Sequence, residues 1–399
     1  MRRFLRKLNN KILCWTGSLL LIIPSLLNAY WLMPFPGSQE MEMMEFCYSL
    51  EKIIFVLRVA GVLFLTGPVL YSFFYGTFKK GIGNVLWCLL IATLYYLTDY
   101  VYCAQEMFKE PMVKKFLTGD MSKVPPDNLV IGIENNGQAK AYPINFIGYH
   151  HKVQDSVGGK PVLVTYCTMC RTGRIYSPIV NGRYQKFRLV GARHYNAVME
   201  DEDTKTWWYQ ATGEAAAGPM RGEFLEEIPC EQMALKAWLE KFPNSLILQP
   251  DSGFYQEYAD LMEYDRRQRT DSDSLWQRKS WVIGIIANDN ARAYEWKDVS
   301  KQKLINDNVD TVPVLIFLEK DNFSFHAWLR KVNGGEVLFK RDSLENGFND
   351  VSTHSKWNAN GVCIDGVYKG QKLTVIQAYQ EYWHSWKFFH AGGTRWGYE

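Results

Sequence analysis

The sequence predicts an N-terminal α-helical membrane region of three spans, followed by a β-rich α+β soluble region made of two tandem homologous repeats. Three observations carry this. Long apolar runs crowd into roughly the first quarter of the 399-residue chain. One stretch of the remainder occurs twice. Within both copies, short apolar runs alternate with turn-forming Asn and Gly.

The runs Ile12 to Met33, Ile53 to Tyr75 and Val85 to Ala104 each reach about 20 residues, enough to cross a hydrocarbon core of roughly 30 Å. Arg58 and Asp99 interrupt them and are expected near span ends, where a charge reaches the interface. No small-residue cleavage site follows the first run, so it is expected to stay in place. Loop charge sets orientation. Arg2, Arg3, Arg6 and Lys7 start the chain, Lys79 and Lys80 lie between the second and third runs, and Glu40, Glu42 and Glu45 lie between the first two. The expectation is a protein of the cytoplasmic (inner) membrane with its N-terminus in the cytoplasm. Everything after about residue 105 is then periplasmic or otherwise extracytoplasmic. The lipid bilayer is thus a partner. A net charge of +3 supplies no basis for nucleic-acid binding. The spans show no path of ionisable groups, so they read as an anchor.

The soluble part repeats without a gap: Val130 to Tyr166 realigns on Val282 to Leu318 at a constant offset of 152, with 13 identities in 37 positions. After a net loss of four residues the register resumes at an offset of 148, matching Gly213, Gly218 and Trp238 to Gly361, Gly366 and Trp386. A unit of this size is a domain, not a solenoid repeat. The divisions are 1–104 anchor, 105–127 linker, 128–250 first repeat, 251–280 connector and 281–399 second repeat.

Within the first repeat, Leu129 to Ile133 and Gln138 to Ile144 flank Asn136-Gly137 and predict a hairpin. Pro161 to Tyr166 predicts a strand buried on both faces. Arg174 to Val180 and Tyr184 to Val190 flank Asn181-Gly182 as a second hairpin. Glu231 to Phe242 has helical spacing, as does its counterpart Tyr379 to Phe389. The run Glu200 to Asp203 reads as a solvated turn. Trp207, Trp208, Trp238 and Trp386 read as core. Cys47 and Cys103 are placed for a disulfide near the outer face.

The chemistry centres on Cys167-Thr168-Met169-Cys170, at the end of the buried strand and before a turn expected at Gly173. Only the first repeat has it: the offset puts Glu319 and Asn322 at the two cysteine positions. If both thiols merely held the scaffold together, the second copy would need them too. A paired-thiol site outside the cytoplasm either cycles between dithiol and disulfide, holds a metal, or stays as a structural clasp. In the redox reading Cys167 and Cys170 are catalytic and Arg171 stabilises the thiolate. In the metal reading copper or zinc is held by Cys167, Cys170, His194 and Met169. His150 and His151, taken as strand neighbours, would point to opposite faces and so not serve one site together.

With these residues in view, the soluble part resembles the DUF3179 family, a domain of unknown function. The matching pieces are Pro161 to Cys170, Trp207 to Gly213, Gly213 to Pro219 and Trp383 to Phe389. The likeness runs from about Asn128 to the C-terminus and excludes the three spans. Some relatives are recorded as possible selenoproteins, with selenocysteine at the paired-thiol motif, which implies redox chemistry at Cys167 and Cys170. The expected function is thiol–disulfide exchange with an unidentified substrate and a redox protein partner. The alternatives are a copper- or zinc-binding protein with a metal-delivery partner, and a non-catalytic ligand-binding module.

Overall fold

The computed structural model describes residues 2–75, 78–268, 276–342 and 345–398. Three helices, α1 (Arg2–Leu32), α2 (Met44–Tyr75) and α3 (Phe78–Tyr96), open the chain. Their segments Asn10–Leu32, Met44–Tyr75 and Ile82–Val101 are long and apolar enough to cross a membrane. α1 and α2 approach closely through glycine: a Cβ on Gly17 would sit 2.7 Å from the carbonyl oxygen of Gly61. α3 runs into a π-helical turn, Leu97–Val101. The chain as a whole divides into two compact units.

The first unit holds Met1–Lys109, Phe187–Tyr209 and Glu214–Glu223. Its sheet is Phe187–Arg193, Asn196–Asp201, Trp207–Tyr209 and Ala215–Ala217, in antiparallel order. α2 begins at Met44, ahead of the apolar run that starts at Ile53. Its early turns carry Met44, Cys47 and Tyr48, which pack with Leu32 on Val190, Val198, Trp207 and Ala217. Removing this much apolar surface from water is what joins helices to sheet here. The acidic run is only partly a solvated turn: Glu200 and Asp201 are buried. They accept the indole N–H bonds of Trp207 and Trp208 at 2.8 and 2.9 Å, which satisfies both rings inside the core. Cys47 and Cys103, whose positions near the outer face allowed a disulfide, are free thiols.

The second unit holds Glu110–Lys186, Gln210–Gly213 and Phe224–Glu399. Leu129–Asn135 and Gln138–Pro143 form the expected hairpin, with Asn136 and Gly137 at φ 49° and 77°, the left-handed pair of a tight hairpin turn. The helix Ile144–His150 follows, then the antiparallel sheet Lys152–Val157, Lys160–Cys167 and Thr172–Tyr176. The same succession returns as Trp281–Ala287, Asn290–Glu295, the helix Trp296–Gln302, and the sheet Leu304–Val309, Val312–Leu318 and Phe325–Leu329. Corresponding bonds recur: Tyr142 Oη donates to Asp155 at 2.7 Å and Tyr294 Oη to Asp307 at 2.8 Å.

Four elements differ from expectation. Glu231–Ala234 is a strand, and the helix begins only at Leu235; likewise Ala378–Tyr382 is a strand and its helix starts at Trp383. Helical spacing there loses to strand pairing with Leu129–Asn135 and Trp281–Ala287. His150 ends a helix and does not lie on a strand. The connector carries a helix, Tyr255–Gln268, while its residues 269–275 lie outside the described set.

Candidate functional site

The strand Lys160–Cys167 brings the first cysteine to its C-terminal end, and the chain reverses over Thr168 to Arg171. Arg171 takes the left-handed conformation at φ 57°, so the reversal falls before the expected position. Gly173 lies inside the next strand, where a Cβ would meet Ile131 at 2.7 Å. Cys167 and Cys170 have no measurable exposure and are free thiols, with Cys170 Sγ 3.7 Å from the Cys167 carbonyl oxygen.

Sequence reasoning considered His151 as a strand neighbour of His150 and missed its contact with Cys167. His151 caps the helix Ile144–His150 at φ 60°, with its N–H on the Ile147 carbonyl at 2.7 Å. Lys303 makes the same left-handed cap after Trp296–Gln302, so this backbone belongs to the scaffold and only the side chain is particular to the site. The cap turns the imidazole into the core, where it hydrogen-bonds Cys167. Nδ1 lies 3.2 Å from the Tyr149 carbonyl, which can only accept, so Nδ1 is the donor in that contact.

Burial alone pushes the Cys167 thiol up. The hydrogen bond from Cys170, and the hydrogen bond and charge of His151, outweigh it and hold Cys167 well below the usual thiol range. Burial pushes Cys170 up, and the hydrogen bond and charge of Cys167 push it further. The pair therefore loses its first proton at Cys167 and keeps the second at Cys170.

The far end of the chain supplies the rest of the site. The Tyr382 N–H donates to the Cys170 carbonyl at 2.8 Å, and His384 Nε2 donates to the Met169 carbonyl at 3.2 Å. Burial pushes His384 down to about 4, so it is a neutral donor that pins the turn. Glu381, fully buried, accepts from Ser385 Oγ at 2.5 Å and Thr172 Oγ1 at 3.2 Å and pairs with Arg174 at 3.4 Å. Burial raises the Glu381 carboxyl, and the Cys167 charge adds to that. Arg174 also lies 3.2 Å from the centroid of the Tyr379 ring. The one available signal was Trp383 to Phe389, a stretch noted for its resemblance but not connected to the thiols.

The other candidates lie as follows. Arg171 is buried, with its guanidinium 3.8 Å from the centroid of the Trp281 ring. Met169 contributes its carbonyl to the His384 bond. His194 belongs to the first unit, 3.5 Å from Glu42 Oε1, and burial together with Arg193 lowers it to about 4. Among the described residues, no three His, Cys, Asp or Glu side chains converge to hold a metal ion. Glu319, at the position matching Cys167, accepts from His326 Nε2 and Asn346 Nδ2, each at 2.7 Å.

The DUF3179 family, described as a protein of unknown function, matches residues 109–393, well over half of the chain. The chain belongs to that family. No curated protein and no solved structure matches it.

Proposed function

We propose that this protein is a membrane-anchored thiol oxidant that works through a disulfide between Cys167 and Cys170. The carrying observation is a fully buried Cys167 thiol held below its usual range beside His151. Stabilising one thiolate stabilises the reduced form, and a disulfide whose reduced form is favoured is a strong oxidant. A substrate thiolate attacks Cys167 of the disulfide and breaks the S–S bond, releasing the Cys170 thiolate, which takes up a proton. A second substrate thiolate attacks the mixed disulfide and releases Cys167 as the thiolate paired with His151. The substrate leaves as a disulfide and the protein as a dithiol. Because both sulfurs are buried, the turn Thr168 to Arg171 opens to admit substrate, and the bonds from Tyr382 and His384 govern that opening.

In this reading residues 128–250 and 281–399 are two copies of one ancestral domain, with 105–127 as linker. Support comes from the recurring order of elements, the matched Tyr142–Asp155 and Tyr294–Asp307 bonds and the matched caps at His151 and Lys303. The second copy has given up the thiols and buttresses the first through Glu381, Tyr382 and His384. Loop charge supports a cytoplasmic N-terminus, and in this reading both copies lie in an extracytoplasmic, oxidising compartment.

The test is redox equilibration of the full-length protein with glutathione, followed by trapping of thiols. A labile Cys167–Cys170 disulfide that oxidises a model dithiol, and is lost in both Cys167→Ser and Cys170→Ser, is the expected result. Stoichiometric zinc or copper that disappears in the same variants, or full activity without the cysteines, overturns the reading.

A further inference from the structure

The membrane helices hold a feature that a plain anchor does not need. Arg58, in α2, forms an ion pair with Asp99 in the π-helical turn Leu97–Val101. Sequence reasoning placed each near a span end, reaching outward singly. In the structure they face each other within the helical unit. Arg58 Nη2 donates to Ser25 Oγ at 2.9 Å, its guanidinium lies 4.9 Å from the centroid of the Tyr95 ring, and Thr98 Oγ1 donates to Asp99 at 2.9 Å. Ionisable groups inside a membrane segment are costly and mark functional sites, and π-helical turns are concentrated at such sites.

Arg58 of the pair borders a cavity of about 560 Å³, within the range of small-molecule pockets. Its walls are apolar, among them Leu21, Phe55, Val62 and Ile91, and its polar groups are Arg58 and Tyr95. Phe55 and Val62 are more than half exposed, so the cavity opens towards lipid. Arg58 Nε is buried without a hydrogen-bond partner among the described residues. A second, polar pocket of about 80 Å³ is lined by Ser25, Asn28, Glu51, Asp99 and Arg188. There Asn28 Nδ2 donates to Glu51 at 2.7 Å, Glu51 lies 3.4 Å from Arg188, and Arg188 Nε donates to Glu200 at 2.8 Å. The Arg58–Asp99 pair thus joins an apolar, lipid-facing cavity, which Arg58 lines, to a line of polar groups that starts at Asp99 and ends on the sheet.

We propose that this cavity binds an isoprenoid quinone, with the tail along the apolar walls and a ring carbonyl accepting a hydrogen bond from Arg58. Charge decides the head group. Asp99 already neutralises Arg58, so an anionic lipid phosphate would find no net positive charge to pair with, whereas a neutral carbonyl needs only a donor such as Arg58. The polar line gives the ring access to protons, which quinone reduction consumes and a structural ion pair would not require. Resting on the thiol-oxidant reading, the bound quinone is the acceptor that regenerates the disulfide. The Cys167–Cys170 dithiol gives up two electrons and two protons as its S–S bond forms, and the quinone takes two electrons and two protons to become a quinol.

The test uses the full-length protein in phospholipid nanodiscs and a photoreactive azidoquinone, with labelled peptides mapped by mass spectrometry. Labelling of α2 and α3 that decylubiquinone displaces and added phosphatidylglycerol does not is the expected result. The control is Arg58→Met combined with Asp99→Leu, which removes both charges together and leaves neither unpaired. It should bind the probe about tenfold more weakly, the scale of losing one hydrogen bond to a charged donor. Displacement by phospholipid, or unchanged labelling in the folded double variant, overturns the proposal. Quinol formation by the reduced protein is followed in parallel. Saturable quinone binding without quinol formation upholds the site and counts against the thiol reading. Quinol formation that Cys167→Ser abolishes, with binding intact, upholds both.

Discussion

Replacing His151 with Gln removes the imidazole that lowers Cys167 and keeps a side chain of similar length at the helix cap. The Cys167 sulfur is fully buried, so water does not take over the lost bond. A hydrogen bond to a charged group contributes about 1.5–3 kcal/mol. Because the thiolate exists only in the reduced form, that loss falls entirely on the dithiol side of the couple. For a two-electron couple about 1.4 kcal/mol corresponds to 30 mV, so the reduction potential should drop by about 30–65 mV, making the disulfide a weaker oxidant. The thiolate-to-thiol ratio at Cys167 should fall about tenfold to a hundredfold by the same energy. The assay is equilibration of wild type and variant with graded glutathione buffers, quenched with a mass-tagging alkylator and counted by mass spectrometry. A melting curve on each protein establishes that the fold is retained. An unchanged or raised potential in a folded His151→Gln protein would refute the assignment of His151 as the group that poises the pair. So would a Cys170 that alkylates at lower pH than Cys167.

Further consequences can be checked by thermal or denaturant melts. Arg174→Met leaves the Glu381 carboxylate buried without its partner and should cost about 3–5 kcal/mol, while Arg174→Met with Glu381→Leu should recover most of it. Gly284→Ala places a Cβ 2.0 Å from the Trp386 ring, and Gly132→Ala does the same to Trp238 at 2.3 Å; each should lose about 1–3 kcal/mol through overpacking. His326 provides a pH signature. Burial alone would lower it, but Glu231 and Glu319 outweigh burial and raise it. Its contribution to stability is therefore complete below about 6.5 and is lost as pH rises through the native value. Glu231, brought down to about 2 against burial by His326 and Lys241, contributes fully above about 4.5 and fades as pH falls towards 2. The difference in stability between wild type and His326→Gln should thus peak between about 4.5 and 6.5. A flat difference across that range would remove the cluster from the account.

By itself the sequence determined what short-range physics controls. Twenty-residue apolar runs locate three helices able to cross a membrane, because no shorter or more polar run satisfies the hydrocarbon core. Asn136-Gly137 and Asn181-Gly182 locate hairpin turns, because paired left-handed residues are rarely tolerated elsewhere. The thiol pair stood out because the stretch that realigns on it at an offset of 152 carries Glu319 and Asn322 instead. Tertiary structure decided the rest. Pairing with neighbouring strands turned Glu231–Ala234 and Ala378–Tyr382 from helix into sheet, since an unpaired backbone edge costs more than local spacing returns. His151 reaches Cys167 from 16 positions away only because a left-handed cap and an antiparallel strand fold it back. Glu381 and His384 arrive from more than 200 positions away. Arg58 and Asp99 were legible as two charges in apolar runs, but not as a pair, because only the packing of α2 against the turn after α3 sets them face to face. Spacing along a chain encodes periodicity; which buried charges meet is decided by the three-dimensional packing that removes them from water.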